Sequence, residues 1–297
     1  MFTEFFCGIG GLSAVLGQQK AAVSIDINQN ALAIHQLNHP HGQLCKTIES
    51  LKSTDLNEAA NHFWWMSPPC QPFTRRGKQQ DLDDERMQGF RRVLQLVGQI
   101  RPQHLAMENV PQFSGSRAHT ALQDVLNESG YVCEHQVLCP TDLGQAGSLN
   151  RRKRFYLWAS LRGEKFQLSL RTPTRHSAWL QDDLNFQDFA VPDSLCRQYA
   201  DAIHVISEED FLSGAATTRC FTSAYGRSPV FSGSYLQTNS GVRRFTPSEV
   251  IRQLGFPDWF RLPAWPARRL WPLVGNSLSL HAVAFVLNRL ASSHCRQ

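Results

Sequence analysis

Across residues 1–160 this chain alternates short apolar runs with stretches of helical period, and that alternation restricts its fold more than any other feature. Residues 2–7, 22–25, 63–66 and 104–107 read as strands, with later ones at 132–138 and 155–160. Between them, a helix from about residue 12, then 29–38, 87–100 and 120–129, carry apolar side chains at helical spacing; 87–100 is strongly amphipathic. Strand and helix in repeated succession call for a mostly parallel sheet with helices on both faces, an α/β architecture. From 161 to 242 the period is lost among Gly, Ser, Thr and Pro, yet Phe, Trp, Leu and Tyr persist there. That segment reads as a small second domain or long insertion rather than a disordered tract. The main domain is then 1–160 plus 243–297. Order returns at Thr246-Pro247-Ser248-Glu249, a capping-box pattern opening a short helix that Gly255 and Pro257 stop. A last helix at 279–290 aligns Leu280, Val283, Val286, Leu287 and Leu290 on one face.

Composition narrows the class. The 297 residues are 42% hydrophobic and 19% charged, as in soluble globular proteins. By composition alone no apolar run is expected to cross a bilayer, and the start lacks the positive charge of a secretory signal, so a cytoplasmic location without a membrane partner is expected. The eight cysteines are scattered, with no Cys-x-x-Cys pair and no zinc-like Cys/His spacing. Reduced thiols and no metal are expected. A net charge of +5 permits a nucleic-acid partner without requiring one. Arginines do cluster, at Arg75-Arg76, Arg151-Arg152-Lys153-Arg154, Arg243-Arg244 and Arg268-Arg269, although any one cluster alone reads as solvated surface.

The chemistry-bearing residues fall where strands end. Phe6-Cys7-Gly8-Ile9-Gly10-Gly11 lets the backbone turn tightly and approach a ligand, but lacks the dinucleotide G-x-G-x-x-G spacing. Asp26 ends the next strand, where an acidic side chain binds ribose hydroxyls or caps the following helix. Together they suggest a cofactor containing adenosine. After the third strand comes Ser67-Pro68-Pro69-Cys70-Gln71-Pro72-Phe73-Thr74. Its prolines stiffen the loop and present Cys70, either as a nucleophile or as an inert loop thiol. Glu108 and Asn109 follow the fourth strand, and a glutamate beside a presented thiol is a candidate general acid. All four positions share the carboxyl edge of the sheet, where open α/β folds bind ligands.

These stretches resemble the ordered motifs of the cytosine-5 methyltransferases. The glycine turn, Pro69-Cys70-Gln71, Glu108-Asn109-Val110, Asn150-Arg151-Arg152-Lys153-Arg154, Arg243 with Thr246 and Glu249, and Gly275-Asn276-Ser277 match in order over nearly the whole chain. The resemblance implies a Rossmann-like methyltransferase fold with a small target-recognition subdomain, and S-adenosylmethionine as cofactor. It implies Cys70 as the thiolate adding to cytosine carbon 6, Glu108 on ring N3 and the exocyclic amine, and Arg152 and Arg154 on the cytosine carbonyl and a phosphate. Cofactor contacts carry over to Phe6, Gly8, Ile9, Gly10, Gly11, Asp26, Ile27, Ile48, Pro69, Asn276 and Ser277. Two positions depart from the family pattern: Glu4 stands where an aspartate is usual, and Thr47 where an acidic residue precedes the adenine contact.

Lys46-Thr47-Ile48-Glu49, Cys220-Phe221-Thr222, Tyr225-Gly226 and Tyr235-Leu236-Gln237-Thr238 resemble the tRNA-aspartate branch, which methylates cytosine 38 of an anticodon loop. A loop base is already unpaired, so extruding it costs less than from a duplex. Gln71, Asn109, Arg75, Arg76, Lys78, Cys220, Phe221, Thr222 and Arg243 are then the expected substrate contacts, in a monomer. The alternative is a DNA cytosine-5 methyltransferase.

Overall fold

The computed structural model describes residues 1–17, 21–40, 42–56, 62–74, 80–162, 164, 166, 170–174 and 179–292. Arg75, Arg76 and Lys78 lie outside the described residues. The chain divides into two compact units: Met1–Leu138 with Lys153–Arg171 and Val283–Gln297, and Cys139–Arg152 with Thr172–Ala282. The expected boundary at residue 243 falls inside the second unit, because the strand there pairs with its predecessor rather than with the main sheet.

The first unit runs β1 (Phe2–Phe5), α1 (Gly11–Leu16), β2 (Ala21–Asp26), α2 (Gln29–Asn38), β3 (Gln43–Cys45), β4 (Phe63–Met66), α3 (Gln88–Ile100), β5 (His104–Asn109), α4 (Arg117–Glu128) and β6 (Tyr131–Leu138). After the two-residue β7 (Asn150–Arg151) of the second unit, it resumes with β8 (Arg154–Leu161). Among the described residues these form a seven-stranded sheet, β3-β2-β1-β4-β5-β8-β6. The pairs among β1 to β5 are parallel, and β8 runs antiparallel between β5 and β6. The α/β expectation holds; the antiparallel insertion of β8 carries no local sequence signal.

Side-chain alternation sorts the two faces. Phe5, Trp64, Met66, Leu105 and Met107 join a core with Phe90, Val93, Leu94, Leu96 and Val97 of α3 and Leu122 and Leu126 of α4. Each such large apolar side chain contributes about 1.5–3 kcal/mol by leaving water. Glu4 points to the opposite face, where its carboxyl meets α1. The expected helices lie within a few residues of those observed, α2 with identical bounds. The short β3 was not anticipated from sequence.

The second unit adds α5 (Asp193–Gln198), β9 (Val205–Ser207), α6 (Glu208–Ser213), β10 (Thr218–Arg219), β11 (Tyr235–Thr238), β12 (Gly241–Arg244), α7 (Pro247–Gln253) and α8 (Ala267–Gly275); α9 (Leu280–Ser292) follows. β9, β11 and β12 make a three-stranded sheet, and β7 pairs with β10. Thr246 and Glu249 form the expected capping box of α7. Ala267–Ser292 is, among the described residues, the one stretch long and apolar enough to cross a membrane, against expectation. Of its most apolar 18-residue window, 83% is buried inside the protein, as in a core helix, and exposed arginines stand at both ends of the stretch.

Candidate functional site

The carboxyl ends of β1, β2, β4 and β5 assemble the candidate active site of the first unit. β1 stops because Phe6 turns into the left-handed region at φ 58°, a backbone state costing roughly 1–3 kcal/mol for a non-glycine residue. Gly8 and Gly10 follow at φ 53° and 91°, accessible to glycine without that cost. A Cβ on Gly10 would lie 3.0 Å from His35 Cδ2, so the loop rests directly on α2. A Cβ on Gly8 would meet nothing within 4 Å, leaving open space beside the loop. Gly11 is buried in the first turn of α1, and Ile9 is core at 2% exposure, so its side chain anchors the loop from within.

Asp26 shapes this loop from β2. Its Oδ2 accepts from the Gly8 N–H at 2.8 Å and its Oδ1 from the Asn28 N–H at 2.8 Å. The helix cap of α2 is Asn28, accepting from Asn30 and Ala31, so the capping alternative for Asp26 fails. Ile27 is exposed and Ile48 buried. Phe6 packs where Gly89 of α3 gives room; a Cβ there would sit 3.3 Å from the Phe6 ring and 3.1 Å from Glu49 Oε1. A glycine floor, an open space at Gly8, an aspartate and a half-buried aromatic ring fit a nucleoside cofactor. Among the described residues no group of three or more His, Cys, Asp or Glu could hold a metal ion.

Under the loop lies a buried polar chain that sequence reading registered only as a departure at Glu4. Ser13 Oγ donates to Glu4 Oε2 at 3.4 Å and lies 3.3 Å from His35 Nε2. Burial pushes the Glu4 carboxyl up to about 8, against hydrogen bonds from Ser13 and the Leu12 backbone. Burial pushes His35 down to about 3 and His39 to about 4. The signs oppose. A raised carboxyl contributes stability below its ordinary value of 4.5 that is lost as pH rises through about 8. A depressed histidine contributes stability above its ordinary 6.5 that is lost as pH falls. Between these limits, from pH 6.5 to 8, Glu4 alone of the three titrates. Glu4→Gln is therefore expected to remove a decline of about 1–2 kcal/mol over that window. Urea denaturation at pH 6.5 and 8.5 measures it, and parallel declines in variant and parent would refute the assignment.

Cys70 follows β4 by way of three residues. It is half-buried and begins a short 3₁₀ turn, Gln71–Phe73, with its own φ at −90°. The stiff loop anticipated from the prolines is real, but it includes this turn. Two clamps fix it. The Ser67 N–H donates to Phe5 O at 3.3 Å, and Asn109 Nδ2 donates to Pro68 O at 3.2 Å. Phe73 is buried against Phe113, their ring centroids 5.2 Å apart. Asn109, 1% exposed, thus positions the loop and is not the substrate contact expected of it. Pro69 is half-buried beside Cys70, and Gln71 is exposed.

Glu108 occupies the last turnings of β5 and pairs with Arg154, Nε to Oε1 at 3.1 Å, both side chains mostly buried. A residue missed in sequence is Arg86, gripped by buried Asp84 at 2.6 and 2.7 Å. The hydrogen bond to Asp84 chiefly raises the Arg86 guanidinium, with a smaller electrostatic contribution from Cys70. The signal available was an acidic residue two before an arginine, too common to single out. Cys7 is the contrast: burial, then Glu4 and Asp26, push its thiol well up, which disfavours the nucleophilic form.

In the second unit, Arg152 is 3% exposed. Its Nη1 donates to Phe221 O and Gly275 O, both at 3.1 Å, and reaches Cys220 Sγ at 3.4 Å. Through Nη1 it knits Cys220-Phe221-Thr222 to Gly275-Asn276-Ser277, while its Nε has no partner among the described residues. A Cβ on Gly275 would lie 2.3 Å from Thr222 O, so the close approach of the two stretches there requires glycine. Phe221 is core, its ring 4.9 Å from Tyr225, and not the expected substrate contact. Cys220 and Thr222 are half-buried, Ser277 is buried and Asn276 exposed. Arg243, expected along an RNA track, is buried in a two-pronged ion pair with Glu249, both bonds 2.8 Å. A buried charge needs its partner, and that need overrides display.

Comparison with known proteins agrees with this geometry. The family model for C-5 cytosine-specific DNA methylases matches residues 1–209. The tRNA (cytosine(38)-C(5))-methyltransferase of Schizosaccharomyces pombe is 28% identical, covering 97% of this chain and 95% of its own. The crystal structure of the S. pombe Dnmt2 methyltransferase superposes with a TM-score of 0.81 at 26% identity over 98% of both chains. The Entamoeba histolytica methyltransferase EhMeth superposes with a TM-score of 0.83 at 25% identity, again over 98% of both.

Proposed function

The chain belongs to the family of C-5 cytosine-specific DNA methylases, and from that premise we propose that it methylates carbon 5 of cytosine 38 in a tRNA anticodon loop. The observation that carries the chemistry is the meeting of Cys70, Glu108 with Arg154, the Gly8–Gly11 turn and Asp26 at one sheet edge. The near full-length likeness to a relative named for tRNA cytosine 38 supports the substrate.

Cytosine carbon 5 is a poor nucleophile. Attack of the Cys70 thiolate on carbon 6 forms a C–S bond and shifts the ring electrons toward carbon 5. Glu108 receives the exocyclic amine and shares a proton with ring N3, offsetting the charge that arrives on the ring. Arg154 holds the Glu108 carboxyl in place through its 3.1 Å contact. When bound, S-adenosylmethionine supplies an electrophilic methyl group on a sulfonium centre. Phe6, Gly8, Gly10, Gly11, Asp26, Ile27, Ile48 and Pro69 are the residues of the first unit that would hold it. Loss of the carbon-5 proton restores the ring double bond and releases the Cys70 sulfur.

The test is transfer of labelled methyl from S-adenosylmethionine to total tRNA and, in parallel, to duplex DNA. Label at cytosine 38 of tRNA is the expected result. Label confined to DNA would overturn the substrate assignment and leave the reaction class intact.

A further inference from the structure

We propose that Arg151 and Arg219 together clamp one phosphodiester of the RNA substrate, a contact that rests on the tRNA reading above. The two residues lie in register on neighbouring strands: β7 and β10 pair in parallel, Asn150 beside Thr218 and Arg151 beside Arg219. Successive side chains of a strand point to opposite faces, and burial follows that rule here. Asn150 and Thr218 are buried, while Arg151 and Arg219 are exposed on the other face. Neither guanidinium makes a hydrogen bond or an ion pair with any described residue. Like charges side by side on a sheet are destabilising, so the pair has no reason within the fold and has one if an anion arrives from outside. The backbone beneath is fixed. Arg219 N–H donates to Ser234 Oγ at 2.8 Å, Asn150 Nδ2 donates to Arg219 O at 3.0 Å, and Thr218 N–H donates to Leu149 O at 2.8 Å. The same Ser234 Oγ lies 2.7 Å from His204 Nδ1. Burial first, and then the charges of Arg219 and Arg151, lower the His204 imidazole below its ordinary 6.5. Both cations thus act on one half-buried ring, which places them on the same small patch of the second unit.

Charge identifies the partner. Residues 143–163 and 211–248, which carry the two arginines, contain no aspartate or glutamate. The carboxylates nearest in sequence are engaged elsewhere, Asp142 with the Thr141 hydroxyl and Asp210 with that of Ser207. The neighbouring arginines differ: Arg152 is spent on Phe221 O and Gly275 O, and Arg243 on Glu249. Arg151 and Arg219 therefore keep two whole forks of donors for a ligand. Phosphate oxygens are the acceptors that such forks fit bidentately, and an RNA backbone presents them without a break.

Binding of fluorescently labelled tRNA to the full chain, measured over a series of KCl concentrations, tests this apart from catalysis. Arg151→Ala combined with Arg219→Ala is expected to raise Kd on the order of tenfold and to flatten the slope of log Kd against log salt by about 0.7–0.9, the share of one phosphate. Arg151→Lys with Arg219→Lys should keep the slope and raise Kd by roughly threefold, since point charges replace the forks. The melting temperature of the alanine variant should hold or rise, because a like-charge pair is relieved. Unchanged Kd and slope overturn the proposal, as does a loss of affinity that comes with a lower melting temperature. A slope change of about twice that size would give each arginine its own phosphate and overturn the shared clamp. If tRNA is methylated and the alanine variant binds it normally, the clamp falls and the tRNA reading stands. If the variant loses tRNA affinity with the expected slope while label enters DNA alone, the RNA contact stands and the tRNA reading falls. A loss seen with duplex DNA and not with tRNA overturns the RNA contact.

Discussion

Cys70→Ala is expected to lower methyl transfer by a factor on the order of 10⁴ or more, the scale seen when a covalent nucleophile is removed. The geometry gives the reason. Cys70 lies just beyond β4, half-buried and held by a loop clamped on both sides. Cys7 is a poor substitute, since it is 4% exposed and its thiol is driven up by burial and two carboxylates. The variant should still bind S-adenosylmethionine, because the glycine turn is held by the bond from Gly8 N–H to Asp26, in which Cys70 takes no part. RNA carrying 5-fluorocytosine adds a direct readout. Its carbon 5 cannot shed a proton, so the C–S bond persists and intact mass shows the adduct in wild type only. Turnover above about one hundredth of wild type in Cys70→Ala would dismiss the thiol as nucleophile.

Glu249→Ala should produce the largest loss of stability of any single substitution considered. The side chains of Arg243 and Glu249 are 5% and 0% exposed and joined by two 2.8 Å bonds. Removing one partner strands the other charge away from water, at a cost of about 3–5 kcal/mol. Glu249 also closes the capping box of α7 on the Thr246 N–H at 2.8 Å, worth about 1 kcal/mol more. The melting temperature should fall by roughly 10 °C. Replacing both partners together, Arg243→Met with Glu249→Leu, should recover much of that loss, because no charge is then left unpaired. A fall below about 2 °C in Glu249→Ala would show that water reaches the pair.

The sequence revealed what is local and concealed what is distant. The alternation of strand and helix rests on periods of two and 3.6 residues, visible within any short window, so the parallel sheet and α2 and α3 were legible. The chemistry at strand ends was legible for the same reason: Asp26 and Glu108 lie at the edge of an apolar run, and Cys70 a few residues beyond one. What a polar side chain does when its partner is far along the chain was not. Asn109 looked like a substrate contact and instead holds Pro68 O, 41 residues away. Arg152, expected on the cytosine carbonyl or a phosphate, also holds Phe221 O and Gly275 O, 69 and 123 residues away, which no local pattern announced. Glu4 registered as a substitution, but its proton-retaining chain to Ser13 and His35 exists only once α1 and α2 pack on one face.

The two clamps on the Pro68-Pro69-Cys70 loop have a kinetic meaning. The Ser67 N–H is bonded to Phe5 O and the Pro68 carbonyl to Asn109, so both attachments end on strands in the middle of the sheet. The loop cannot open unless β1 or β5 loosens, and central strands open only with much of the unit. Amide exchange at Ser67 should therefore be as slow as at Phe5 or Met107, far slower than at ordinary surface loops. The nucleophile then keeps time with the core rather than with solvent, and any motion that admits a base must come from elsewhere in the molecule.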